Sequence, residues 1–186
     1  PVTPGAAGVL IRARWVCPIA SPPRRDAWIH VVDGRIAAVG AGRDAPAARA
    51  TRDLGTVAVL PGLVNAHTHL ELSWLRGRVP PSGDFLTWVG HLMAARRTLE
   101  RADDPGVMVP IERAITELRA SGTVAVGDVA NALVTPHLLA AAGVPAVVFH
   151  ELMGFAVGDG SRIVNDAVVR HAALASAGVS VVPAPH

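Results

Sequence analysis

Two histidines one residue apart, His67 and His69, close the apolar run in LPGLVNAHTHLELS, residues 60–73. Alternate residues of a strand face the same side, so both imidazoles are expected to point at one place. Two neutral imidazoles converging there are half of a four- or five-coordinate site for a divalent metal. A bare His-x-His pair is more often structural or accidental. The Pro61-Gly62 turn and Asn65 around it make this string far more specific than the pair alone.

The elements that must position the pair follow from the pattern on either side. Val9–Ile19 alternates as a strand. Ala27–Val32 and Arg35–Val39 flank Asp33-Gly34, a two-residue connection favoured by type I′ hairpins. Val57–Leu60 adds a short strand before Pro61. After His69 the period changes to that of helices. Phe85–Arg101 carries Phe85, Leu86, Val89, Leu92 and Met93 at helical spacing, with Asp84 as N-cap. Val109–Ala120 predicts a second helix, stopped by Gly122. Strand Thr123–Val126, helix Val134–Ala142, strand Ala146–Phe149, helix Ser161–Ala177 closed by Gly178, and strand Val179–Val182 complete the chain. Strands alternating with helices through short connections imply a parallel sheet. Four such strands begin near Leu63, Thr123, Ala146 and Val179.

The PGLVNAHTHLE string resembles the first-strand signature of the amidohydrolase superfamily, metal-dependent hydrolases and deaminases built on a (β/α)8 barrel. The resemblance implies an α/β fold in which residues 1–60 form part of a small β-sandwich and residues 61–186 supply the first four βα units of the barrel. A complete barrel needs eight strands and typically about 250 residues. The chain therefore reads as an amino-terminal portion of that architecture.

Barrels of this kind carry their chemistry at the carboxyl ends of the strands. His67 with His69, Asp128, His150 with Glu151, and His186 all fall at such ends. Asp128 serves equally well as a turn cap toward Ala130 and Asn131. His150 and Glu151 point to opposite sides of a continuing strand, and a structural role is expected for that pair. The resemblance assigns His67 and His69 as metal ligands, for one divalent Zn or Fe, and His186 as the catalytic residue that contacts substrate. It also places Glu71, Trp88 and Arg97, with Arg96 as a neighbour, along the substrate pocket. An arginine there could hold a carboxylate bidentately, although cations near a helix end are common for other reasons. His30, His91, His137 and His171 are assigned no role, and Trp15, Trp28 and Trp74 are expected to pack.

Binuclear members bridge their metals with a carboxylated lysine, and this chain has no lysine. That favours the mononuclear branch, with deamination of an adenosine-, aminofutalosine-, cytosine- or guanine-like ring by a metal-activated water. The same motif also serves imidazolone ring opening and triazine dechlorination. A half barrel that assembles with another chain without catalysis is the reading from a different class. With two ligands and no acid–base partner, the 186-residue chain alone is expected to be inactive.

Composition narrows the remaining classes. Of 186 residues, 51% are hydrophobic and 17% charged, too apolar for a disordered chain. The net charge of +2 gives no support to nucleic-acid binding. The pI near 9.9 arises because neither lysine nor tyrosine is present to titrate below the arginines. Cys17 is the lone cysteine, which suits a reducing compartment. No apolar stretch approaches the roughly 20 residues of a membrane helix. A cytoplasmic protein with a small-molecule substrate is expected. A homodimer is the protein partner the resemblance suggests.

Overall fold

The computed structural model describes residues 8–153, 158–174 and 178–185. The chain divides into two compact units, residues 1–61 and 62–186.

The first unit is a single mixed sheet. Strands β1 (Val9–Val16), β2 (Arg24–Val32), β3 (Arg35–Ala41) and β4 (Ala50–Asp53) lie in the order β3-β2-β1-β4, and β5 (Ala58–Val59) also pairs with β1. Asp33 and Gly34 both have positive φ, 49° and 74°, as a type I′ connection requires. Their hairpin pairs Val32 with Arg35. β1 ends at Val16, three residues short of the expected Ile19, which itself stands at φ 68° outside the strand. β4 escaped the pattern because all four of its residues are exposed. It exists through parallel pairing to β1, Leu10 opposite Thr51, and not through an apolar face. Ala13, Val16, Ala27 and Ile29 form the small core. Among the described residues of this unit one sheet is present. Trp28 is buried, whereas Trp15 is 41% exposed and does not serve the packing role expected of it.

The second unit carries four parallel strands in chain order, β6 (Leu63–Thr68), β7 (Thr123–Ala130), β8 (Ala146–Leu152) and β9 (Ser180–Pro185). A 3-10 turn over Leu70–Leu75 and helices α1 (Phe85–Arg97), α2 (Pro105–Ala120), α3 (Thr135–Ala141) and α4 (Gly160–Leu174) connect them. Val107, Ile111 and Ile115, four apart on α2, form one buried stripe against Val126, Leu139 and Val148. Each such side chain contributes about 1.5–3 kcal/mol.

Several boundaries move for identifiable reasons. α2 starts at Pro105, not Val109, because Asp104 caps it by accepting from the Gly106 N–H at 2.7 Å and proline suits the first helical position. Asp84 caps α1 as expected, accepting from Thr87 N–H at 2.9 Å, but the helix closes at Thr98 and not after Arg101. No α1 residue is buried, and Phe85 and Leu86 are 71% and 79% exposed. β7 and β8 run past Val126 and Phe149, and β9 continues through Pro183 and Pro185.

One glycine lets β6 lie against β7. A Cβ on Gly127 would sit 2.5 Å from the Ala66 carbonyl oxygen and 3.2 Å from the Phe149 ring. Gly127→Ala is expected to cost about 1–3 kcal/mol through overpacking at this approach. Urea unfolding measures it, and an unchanged midpoint would show that β6 can shift to make room.

Candidate functional site

β6 ends at Thr68, so His67 is its penultimate residue and His69 the first beyond it. The β6–β7 register shifts between Asn65 and Thr68, which breaks the strict two-residue alternation expected there. The rings meet nevertheless, 5.1 Å between centroids and inclined by 71°. Asn65 Oδ1 accepts from the His67 N–H at 3.2 Å, a local turn that presents the histidines at the strand end. His67 is exposed and His69 half-buried. Burial holds the His69 imidazole below its ordinary pKa, with His67 and Arg96 acting the same way. Glu151 and a backbone hydrogen bond with Val129 oppose them. Burial thus favours the neutral imidazole, the form in which a ring nitrogen can donate its lone pair. Such a second bond to the backbone is how ligating histidines are commonly oriented.

Two imidazoles so disposed fit half of a mononuclear Zn or Fe donor set. Among the described residues no group of three or more His, Cys, Asp or Glu converges to complete one.

Glu71, expected along the substrate pocket, is largely buried. Its Oε2 accepts from the backbone N–H groups of Asn131 and Ala132 at 2.9 and 2.8 Å, and its Oε1 from that of Val134 at 3.2 Å. The carboxylate is taken up by the loop after β7, so its position needs no substrate. On α1 the arginine that turns toward this loop is Arg96, whose Nη2 donates to Asn131 Oδ1 at 2.6 Å. Arg97 is exposed. Trp88 is 36% exposed and stacks on Phe85 at 6.0 Å. A cavity of about 280 Å³ opens between Glu71, Trp74, Arg96, Asn131 and Val134, and neither His67 nor His69 lines it. His186 lies outside the described residues.

Asp128 is neither a turn cap nor a pocket residue. It is inside β7 and fully buried, accepting from Leu70 N–H at 2.8 Å and from the Thr135 hydroxyl at 2.6 Å. Burial pushes its carboxyl up to about 6, against the two hydrogen bonds that lower it. One oxygen therefore ties the residue after His69 to β7, and the other ties α3 to the same point.

His150 and Glu151 part to opposite neighbours. His150 Nδ1 lies 2.9 Å from His171 Nε2 on α4, with Arg170 Nη1 3.5 Å from its other nitrogen. His171, expected to be an idle surface residue, is thus the partner of a buried histidine. Burial first, then Arg170 and His171, keep His150 below its ordinary pKa. Glu151 accepts from Asn131 Nδ2 at 3.1 Å and joins the Arg96 cluster. Asn131 and Arg170 carry no sequence signal for these roles, since their partners lie 20 to 39 residues away.

No protein-family model matches the chain. Over 111 residues, 55% of its length, it is 36% identical to a 5-methylthioadenosine/S-adenosylhomocysteine deaminase of Nitratidesulfovibrio vulgaris (strain DP4), covering 23% of that protein. Its fold matches 43% of Helicobacter pylori aminofutalosine deaminase in complex with methylthio-coformycin, at TM-score 0.73 over 95% of the chain with 24% identity. It also matches 44% of an adenosine deaminase from Xanthomonas campestris with bound zinc, at TM-score 0.69 over 99% of the chain with 25% identity. The chain thus spans less than a quarter of the curated relative and less than half of either solved protein.

Proposed function

We propose that this amidohydrolase-superfamily chain supplies two metal ligands, His67 and His69, to a hydrolase that deaminates an aminated heterocycle of the adenosine class. The observation that carries the reading is the pair of imidazoles at the carboxyl end of the first parallel strand, with ring centroids 5.1 Å apart. The similarity to adenosine-type deaminases points the same way. A bound Zn or Fe would supply a water acidified from 15.7 to about 7, hence a nucleophile at neutral pH.

The chain's own residues bind and orient. His69 is half-buried, with its ring edge-on to that of His67. Asp128 and Glu71 fix the backbone on the far side of His69, through Leu70 N–H and through the loop at 131–134. Trp88, an aromatic face beside Phe85, would lie against a ring substrate. Arg96, rather than Arg97, is the cation on the inner side of α1, and His186 after β9 would contact the substrate where negative charge develops.

Zinc titration and ammonia release test this together. The 186-residue chain is expected to take up zinc in a manner that depends on His67 and His69. It is expected to release no ammonia from adenosine or 5-methylthioadenosine, because the described residues hold no complete donor set. A polypeptide that carries the remaining length of the relatives is expected to release it. Zinc uptake independent of both histidines would sink the reading.

A further inference from the structure

The loop after β7 is the meeting point of four elements. Its Asn131 side chain accepts from Arg96 of α1 at 2.6 Å and donates to Glu151 of β8, at 2.9 Å to the carbonyl oxygen and 3.1 Å to Oε2. Its backbone N–H groups hold Glu71 of the 3-10 turn, and its carbonyls at Asn131 and Ala132 accept from Arg170 of α4 at 3.4 and 2.7 Å.

We propose that Asn131 is a positioning residue: its neutral amide bridges Arg96 and Glu151, fixes the loop at 131–134, and through Glu71 holds the turn that begins directly after His69. For its functional consequence this rests on the reading of His67 and His69 as metal ligands. The bridge itself stands on geometry alone.

The chemistry of the partners explains why an amide is required. A guanidinium can only donate and a carboxylate can only accept. The residue between them must accept at one corner and donate at the other without adding charge. Asparagine does this, and its partners also settle which corner is oxygen. Aspartate in its place would keep the bond from Arg96 but turn a second carboxylate against Glu151. An aliphatic side chain would leave the half-buried Arg96 and Glu151 without their shared partner. Because Glu71 lies two residues beyond His69, slack at Asn131 is passed to the turn that sets the ring's direction.

Amide hydrogen exchange at Asn131, Ala132 and Val134, compared in the unchanged chain, Asn131→Asp, Glu151→Gln and the double variant, tests the bridge. In the double variant the carboxylate introduced in the loop would accept from Arg96, and the amide introduced on β8 would donate to that carboxylate. The bond from Arg96 keeps its direction and the side-chain bond to β8 is re-formed with its direction reversed, while the bond to the Glu151 carbonyl oxygen stays lost. Asn131→Asp is expected to speed exchange at these amides about tenfold, the equivalent of one lost hydrogen bond. The double variant is expected to return part of the way toward the unchanged chain, since one of the two bonds that Asn131 donates is restored. Exchange unaffected by Asn131→Asp, or a double variant no slower than Asn131→Asp, overturns the proposal. Zinc titration of the same four proteins is expected to follow the same order, a pattern that general destabilisation does not produce. If the unchanged chain takes up no zinc, the metal reading fails while the exchange data still decide the bridge.

Discussion

His69→Ala is expected to lower zinc affinity by more than the ~10–100-fold typical of losing a residue that merely orients a ligand. The argument is that two nitrogens are present among the described residues and no third donor joins them, so removing one halves the set. His67→Ala is expected to do the same. The two differ in stability. His67 is exposed, and its removal is expected to leave the unfolding midpoint unchanged. His69 is half-buried, so its loss is expected to lower the midpoint. His150→Ala is the control, since His150 faces His171 and Arg170 and not the His67/His69 pair. Calorimetric zinc titration of the three variants decides it. Equal affinity in His69→Ala and the unchanged chain would show that the metal is held elsewhere.

Asp128 is expected to make the fold more stable below neutral pH than above it. Its carboxyl has a folded pKa of about 6 against an ordinary value of 3.8, so the folded state binds the proton more tightly. Stability is then fully present below about 4 and is lost as pH rises from there to about 6. The span corresponds to ~3 kcal/mol for a group buried as completely as this one. Asp128→Asn keeps an oxygen for Leu70 N–H and an N–H for Thr135, and carries no charge. It is expected to remove that slope between about pH 4 and 6.5 while the fold persists. Asp128→Ala strands both donors in the core and is expected to cost about 3 kcal/mol or more at any pH. Urea unfolding of the three proteins at about pH 4.5, 5.5 and 6.5 measures this, relative to Asp128→Asn so that other titrating groups cancel. A difference that does not change with pH would mean Asp128 stays ionised throughout.

These outcomes separate what local chemistry wrote into the chain from what only assembly made. The four parallel strands, the Asp84 cap, the Asp33-Gly34 turn and the His67/His69 pair are local: each depends on neighbours within a few residues, and period, capping and turn chemistry act over that range. β4 was invisible because an exposed strand has no apolar period, and exists only once β1 is beside it. For Glu71, sequence shows the distance from His69 but not the three amides, sixty or more positions away, that hold its carboxylate. Arg96 and Arg97 were indistinguishable until the helix was docked and one of them met Asn131. His171 gained its partner in the same way, when α4 folded back on β8. By itself the sequence determined which residues could bind a metal and roughly where the strands would deliver them. The tertiary structure decided which charged side chains stay available for a ligand and which are taken up by buried donors. A polar group's role is set by what it faces once water is excluded, and that pairing is made between segments far apart in the chain.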